Sequence, residues 1–134
     1  MDNSFFVDPN SLAGLVLPGH LLGLTFSAVD LAAIRAVRPL LVSQIGIAKT
    51  AEVSTPAFLA AVFVLGRAFA TKNATKTSWA MKDDLAAMLD LPWKIVLSKA
   101  ASLKRAGLLS GCTCGCRGDF EMTADGEATL FAAA

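Results

Sequence analysis

The residues of this chain with the greatest potential for chemistry are its three cysteines, Cys112, Cys114 and Cys116. Alternate residues of a strand point to the same side, so a hairpin at this position would present the three thiols on one face. Thiolates bind soft cations, and paired thiols oxidise to disulfides. A structural zinc site normally uses four ligands, however, and the single histidine, His20, is remote in sequence. Two interpretations stay open: a soft-metal or redox site and, somewhat favoured, three small reduced side chains at a turn.

A second group of residues suits contact with nucleic acid. Between residues 72 and 105 the chain carries seven basic and three acidic residues, whereas from residue 106 onward it carries one basic and four acidic residues. Lysine and arginine bind phosphates, and arginine and serine also reach base edges. The plain alternative is a solvated helix face. The predicted DNA contacts are Lys94, Ser98, Lys99, Ser102, Arg105 and Arg117.

The same segment is poor in side chains that read bases. Ile95, Leu97 and Ala101 are predicted on the outward face beside the basic residues, where they reach thymine methyl groups without supplying hydrogen bonds. The sequence therefore predicts weak or shape-led DNA reading, or alternatively a helix that docks a protein partner.

Catalytic side chains do not form a recognisable set in this sequence. It shows no Ser/His/Asp combination, no paired carboxylates around an apolar segment and no phosphate-binding loop. Nucleophilic and acid-base catalysis both need groups of this kind. We therefore predict no enzymatic activity and no cofactor.

The candidate DNA contacts need a helix-turn-helix to position them, and residues 82–106 have that pattern. Val96, Ala100 and Leu103 recur at helical spacing and form the predicted buried stripe of the second helix. Residues 108–122 are predicted to form a two-stranded wing, whose glycines permit a tight tip. A short strand just before residue 82 is expected to pair with this hairpin.

Helices are predicted on both sides of this unit, and residues 1–26 form an arm with at most one short helix. Pro39 should kink or break the first helix, because proline removes a backbone donor. Thr55 and Pro56 should cap and start the second helix, which is apolar on nearly all sides and hence buried. Residues 27–134 then form one domain, with helices at 27–48, 56–70 and 123–134.

The helix-turn-helix and the residues after it resemble the MarR family of winged-helix transcriptional regulators. The likeness runs without gaps over residues 85–109. It resumes at residues 122–127, Met-Thr-Ala-Asp-Gly-Glu, which are similar to the Leu-Thr-x-x-Gly entry into the last helix of the family. Residues 54–58 are similar to the start of the family's second core helix. The resemblance covers roughly half of the chain.

This resemblance implies a mainly α fold with a small β-hairpin wing, and a dimer that inserts residues 93–106 into the major groove. The wing would lie along the DNA backbone or in the minor groove. Family members usually close the dimer with long terminal helices, whereas here residues 1–26 and the helices around Pro39 are expected to do so. The wing also carries one basic residue, Arg117, where two or more arginines are common.

The composition favours a mostly helical globular protein. Of 134 residues, 54% are hydrophobic and 17% are charged, which argues against disorder. The apolar residues 57–66 fall short of the ~20 residues that span a bilayer. No lysine or arginine precedes Arg35, although a signal peptide would need a basic residue near its start. We therefore expect a cytoplasmic protein without membrane contact, and the apolar excess predicts a homodimer.

Three functions are open from the sequence. The first is a dimeric MarR-like transcriptional regulator that binds double-stranded DNA. The second is a winged-helix interaction module that binds a partner regulator. The third is a plasmid or phage replication or partition factor, which would use the same fold.

Overall fold

The computed structural model describes residues 5–7, 16–21, 24–75, 78–111 and 118–134. In these ranges the chain is mostly helical, with a three-stranded antiparallel sheet and a separate pair of short strands. The helices are α1 (Ala28–Val37), α2 (Thr55–Asn73), α3 (Lys82–Leu89), α4 (Trp93–Arg105) and α5 (Ala124–Ala133). The strands are β1 (Phe5–Val7), β2 (Val16–Pro18), β3 (Ala80–Met81), β4 (Leu109–Gly111) and β5 (Asp119–Met122).

The three-stranded sheet joins segments from both sides of the α3–α4 pair. Its strand order is β3-β5-β4, and both pairs are antiparallel. Ala80 lies opposite Phe120, and Leu109 lies opposite Met122. Strand β3 leads directly into α3, and β4 follows α4. The sheet therefore connects the start of this helix pair to its end. The two strands predicted within residues 108–122 are present as β4 and β5, and residues 112–117, on which the predicted tip falls, lie outside the described residues.

Helix α2 runs through the centre of the hydrophobic core. All of residues 57–66 are buried. Ser54 caps the helix, rather than the predicted Thr55, because its hydroxyl accepts a hydrogen bond from the amide of Ala57 at 3.2 Å. By length and composition α2 is apolar enough to cross a membrane, with a mean hydropathy of 1.2, but 61% of that span is buried inside the protein. Core helices of soluble proteins have the same properties.

Helix α1 ends far earlier than the sequence predicts. The predicted helix over residues 27–48 is present only as far as Val37, and a 3-10 turn at Arg38–Leu40 follows. Pro39 lies inside this turn and has no amide hydrogen with which to continue an α-helix. The predicted break at this proline is present, but the predicted continuation beyond it is wrong. Residues 41–49 form no helix or strand.

The N-terminal arm contains an antiparallel strand pair, β1 and β2, that the sequence did not predict. Leu17 and Leu21 are buried in the protein's own core. Between them, the exposed His20 imidazole contacts the Asp84 carboxylate at 3.0 Å, and the His20 carbonyl accepts a hydrogen bond from Lys72 Nζ at 2.5 Å. The arm is thereby fastened to both α3 and α2.

The start of α5 is fixed by side-chain and backbone contacts with the end of α4. The Thr123 hydroxyl accepts a hydrogen bond from the Gly126 amide at 3.0 Å and donates one to the Gly107 carbonyl at 2.7 Å. A Cβ on Gly126 would come within 2.1 Å of the Leu108 carbonyl oxygen. Only glycine fits at this approach, which gives a physical reason for the threonine and the glycine of residues 122–127.

Candidate nucleic-acid interface

Helix α4 is held on one side by the hydrophobic core. Val96 and Ala100 are fully buried, and Leu103 is 5% exposed, in agreement with the predicted stripe. The turn before the helix is set by Asp90, whose φ is 57°, and Gly107 follows its end with a φ of 81°. The inner side of α4 is therefore fixed, and its opposite side faces solvent.

The outward side of α4 presents a polar and basic stripe. Lys94, Ser98 and Arg105 are exposed, and Ala101 and Ser102 are half-buried. Positions 94, 98, 101 and 105 recur at helical spacing, so they follow one line along the helix surface. The structure thus brings three of the predicted DNA contacts, Lys94, Ser98 and Arg105, to one line on the helix surface, and a fourth, Ser102, lies beside it. We call residues 94, 98, 101 and 105 the outward stripe.

Lys99 does not belong to the outward stripe. Its side chain is 8% exposed, and its position three residues after Val96 places it on the core side of the helix. It has no hydrogen-bond or ion-pair partner among the described residues. Desolvation by burial lowers the pKa of its ammonium, because an apolar environment disfavours the charged form. Lys99 is therefore not presented alongside the other predicted contacts of α4, and its contact with DNA stays a prediction.

The apolar residues of α4 are also distributed differently from the prediction. Ile95 and Leu97 are half-buried and pack against the hydrophobic core, so the exposed apolar surface predicted there is wrong. Trp93 instead exposes 48% of its surface at the start of the helix. Lys94 Nζ lies 5.8 Å from the centre of the Trp93 ring, within cation–π distance. The first turn of α4 therefore presents an aromatic ring and an ammonium together.

Two polar contacts mark the flanks of the outward stripe. On one flank, Lys104 Nζ donates a hydrogen bond to the Gly111 carbonyl at 2.8 Å and ties α4 to β4. On the other flank, the Thr50 hydroxyl donates to Ser98 Oγ at 2.8 Å. Ser98 and Lys104 lie about 120° apart around a helix of 3.6 residues per turn. The outward stripe, with Ser98 at one edge, occupies the half of this arc that is nearer Ser98. The sheet and the 3-10 turn at Thr50–Glu52 therefore frame the outward stripe.

The connection between α1 and α2 is fastened to the α3–α4 pair. The Ser43 hydroxyl donates to Asp90 Oδ2 at 2.5 Å, and the Gln44 amide donates to the Leu89 carbonyl at 2.8 Å. The buried Gln44 side chain accepts a hydrogen bond from the Ser54 amide at 3.0 Å through Oε1. Gln44 thus joins the end of α3 to the start of α2.

Sequence reasoning missed Gln44 and Thr50 as residues that position α4. Thr50 contacts a residue 48 positions away, and Gln44 contacts the end of α3 from a segment without helix or strand. A polar connection of this kind has no hydrophobic period that would mark it. No feature of the sequence alone identifies either contact.

The remaining candidate residues lie outside the described residues. These are Arg117 and the three cysteines, Cys112, Cys114 and Cys116. In the part of the chain that the structure describes, no group of three or more His, Cys, Asp or Glu side chains is placed to hold a metal ion. The predicted wing contact and the thiol hypothesis stay predictions.

A cleft of about 160 Å³ lies away from α4, between α2, β5 and α5. Arg67 contacts Glu127 at 3.6 Å and Asp30 at 3.8 Å, and its guanidinium lies 5.0 Å from the centre of the Phe63 ring. Glu121 also lines the cleft and accepts a hydrogen bond from a backbone amide at 3.4 Å. These charges connect α1, α2, α5 and the sheet to one another, so we assign them to the fold.

Comparison of the chain with protein-family models, with curated proteins and with solved structures gives no match. The assignment of a function therefore depends on α4 and the elements around it. Among these, the division of α4 into a buried side and an outward stripe is the feature with the clearest chemical meaning.

Proposed function

We propose that the protein is a MarR-like winged-helix transcriptional regulator that binds double-stranded DNA through α4. The proposal is carried by the outward stripe, which places Lys94, Ser98 and Arg105 on the solvent side of a helix whose other side is fixed in the core. Helix α4 is the second helix of a pair, and the strands β4 and β5 follow it. This order suits a helix that enters the major groove with a hairpin beside it.

In this arrangement the two basic residues of the outward stripe bind phosphates near the two ends of α4. Lys94 and Arg105 lie about 16 Å apart along the helix axis. Between them lie Ser98, whose Oγ accepts a hydrogen bond from Thr50 and still has its own proton to donate, and the half-buried Ser102. These are the serines available to base edges. With so few base-reading side chains, the sequence-dependent shape of the DNA supplies a share of the specificity.

The protein acts as a homodimer in this proposal, closed by α1 and α5. These helices contact each other and expose Val29, at 79%, and Phe131, at 36%. An apolar face that meets its own copy suits twofold symmetry. Two copies of α4 would then contact two half-sites about one turn of DNA apart.

Sedimentation equilibrium tests the dimer. Val29→Glu is expected to weaken association, because it places a charge in the contact between copies. Val42→Glu is the matched control, since Val42 is 52% exposed but lies in the connection after α1. A wild-type protein that stays monomeric at all concentrations, or equal effects of the two variants, would contradict this mode of assembly.

Salt-dependent DNA binding tests the main proposal. Fluorescence anisotropy with a random-sequence duplex and with a pool of genomic fragments, measured between 50 and 200 mM salt, gives the salt slope. Each phosphate contact contributes about 0.9 to this slope, because binding releases condensed counterions. The double variant Lys94→Ala, Arg105→Ala is expected to bind more weakly and to lower the slope by about 2.

The matched control removes the same charge elsewhere, at Arg35 of α1 and Lys72 of α2. The double variant Arg35→Ala, Lys72→Ala is expected to keep the wild-type slope. If the wild-type protein does not bind either kind of duplex at 50 mM salt, the DNA-binding proposal is wrong. Equal losses in the two double variants would show a non-specific charge effect instead of contact through α4.

A protein-interaction module is the second candidate, and the exposed Trp93 favours it. Tryptophan is enriched among the residues that dominate protein interfaces. Collisional quenching of Trp93 fluorescence in a Trp79→Phe background separates the two candidates. Duplex DNA is expected to protect Trp93 from the quencher if α4 enters the groove. Protection by a protein partner, without protection by DNA, would favour the second candidate.

A further inference from the structure

A further cation, in addition to Lys94 and Arg105, lies beside the outward stripe on a different element. Lys49 comes directly before the 3-10 turn whose first residue, Thr50, contacts Ser98 of α4 at 2.8 Å. Lys49 is exposed. Its ammonium has no hydrogen-bond or ion-pair partner in the described ranges of the chain. An unpaired positive charge is therefore attached to the segment that flanks α4.

We propose that Lys49 binds a phosphate of the DNA backbone when α4 occupies the major groove. This inference rests on the proposed DNA binding by α4 and adds a second contact element to it. Lysine suits the task because its ammonium is a compact point charge with three donors.

The position of Lys49 follows from the two flanks of α4. A helix in the major groove has a phosphate backbone on each side, across a groove about 12 Å wide. The sheet lies on the flank marked by the Lys104–Gly111 contact, and the 3-10 turn lies on the flank marked by the Thr50–Ser98 contact. The two flanks therefore face the two DNA backbones. Lys49 binds a phosphate of the backbone that lies on the side of α4 away from the hairpin.

The segment that carries Lys49 is already held in place. Contacts from Ser43 to Asp90 and from Gln44 to Leu89 fasten the connection at one end, and the contact from Gln44 to Ser54 fastens it at the other. Ordering a flexible loop weakens binding, because the loop loses conformational freedom. A segment with these fixed points loses little of that freedom when it meets DNA.

The same turn also carries an acidic residue, which tests whether the sign of the charge at this place determines DNA affinity. Glu52 is exposed at the end of the turn, three residues after Lys49, and carries the opposite charge. A carboxylate near the phosphates repels them. Removal of the Lys49 charge and removal of the Glu52 charge should therefore change DNA affinity in opposite directions.

The experiment compares Lys49→Ala, Glu52→Gln and the control Arg35→Ala with wild-type protein in the same anisotropy titrations. Lys49→Ala is expected to weaken binding at 50 mM salt and to lower the salt slope by about 0.9, the value of one phosphate contact. Glu52→Gln is expected to strengthen binding. Arg35→Ala removes an equal charge from α1 and is expected to leave the slope unchanged. Thermal unfolding of each variant verifies that it is folded.

The outcomes separate this inference from the function on which it rests. If wild-type protein binds DNA and Lys49→Ala keeps the slope of Arg35→Ala, the contact by Lys49 is wrong and binding through α4 is unaffected. A Glu52→Gln variant that binds more weakly than wild type would also overturn the inference. If wild-type protein does not bind DNA at low salt, the proposed function fails and this contact fails with it.

Discussion

The two longest helices among the described residues, α2 and α4, use their surfaces in opposite ways. In α2, all of residues 57–66 are buried, and the helix contacts other elements on every side. In α4, four of the thirteen residues are buried, and the outward stripe faces solvent. This difference separates residues whose substitution should affect stability from residues whose substitution should affect binding. The side chains of α2 set stability, whereas those of the outward stripe are free to serve binding.

The largest effect expected from this comparison is the loss of a core side chain of α2. Phe58 is fully buried, so Phe58→Ala is expected to lower the free energy of unfolding by about 3–5 kcal/mol, through lost burial and the cavity left behind. Urea denaturation followed by circular dichroism measures this change. Ile45→Ala, in the connection after α1, is the control, because Ile45 is 78% exposed and the variant should stay within about 0.5 kcal/mol of wild type. A loss below about 1 kcal/mol for Phe58→Ala would contradict the central place of α2.

A smaller effect is expected at Gln44, which connects α2 to the α3–α4 pair. Gln44→Ala leaves the Ser54 amide without its acceptor and should lower the free energy of unfolding by about 1–3 kcal/mol. Ser43→Ala removes only exposed contacts, the hydrogen bond to Asp90 and the one from the Ile45 amide, so it should cost less. Both values come from the same urea titrations. Equal costs would show that the buried amide of Gln44 is not what secures the connection.

Lys99 tests the difference between the two sides of α4, because it lies on the buried side yet carries a charge. Lys99→Met is expected to raise the free energy of unfolding at pH 7 by about 0.5–1 kcal/mol, since it removes a poorly solvated ammonium. The DNA salt slope should not change. Lys94→Met, on the outward stripe, is the control for the substitution itself.

The gain from Lys99→Met should depend on pH in a defined direction. Burial lowers the pKa of Lys99 in the folded protein below the value of about 10.4 for an unfolded chain. Between these two values the unfolded chain binds more protons, so wild-type stability rises with pH. The gain is therefore largest below the folded pKa and disappears as the pH rises above about 10.4. Urea titrations of both proteins at pH 7 and pH 10 test this, and a gain independent of pH would exclude the ammonium as its cause.

The smallest effect on stability is expected from the outward stripe. Lys94→Ala with Arg105→Ala should change the free energy of unfolding by no more than about 0.5 kcal/mol, because neither side chain has a buried contact to lose. Thermal unfolding with and without duplex DNA measures stability and binding in one experiment. A loss of more than about 2 kcal/mol without DNA would contradict the division between the two sides of α4.

Much of the secondary structure could be predicted from local patterns. The bounds of α3 and α4 follow from the spacing of their apolar residues and from Gly107 after α4, and β4, β5 and the Thr123 cap lie close to their predicted positions. These features depend on neighbours within a few residues. The end of α1 shows the limit, because Pro39 marked the break but not the irregular path of the chain after it.

The candidate site was less accessible to sequence reasoning than the fold. The outward positions of Lys94, Ser98 and Arg105 could be predicted from helical spacing, because the opposite side of α4 is apolar. The charge of Lys99 suggests a DNA contact, whereas its spacing of three residues from Val96 places it on the core side of α4. Thr50 had no predicted role at all, since its contact with Ser98 depends on the path of the connection after α1.

The sequence by itself determined a mostly helical chain, the helix pair of α3 and α4, and the sides of α4 that face inward and outward. Hydrophobic periodicity and capping depend on residues a few positions apart, so they can be predicted from the sequence. Only the tertiary structure decided that Lys99 is buried, that the N-terminal arm attaches to α2 and α3, and that the turn after Lys49 lies against Ser98. These features depend on contacts between residues far apart in the chain, which are fixed when the elements pack around α2.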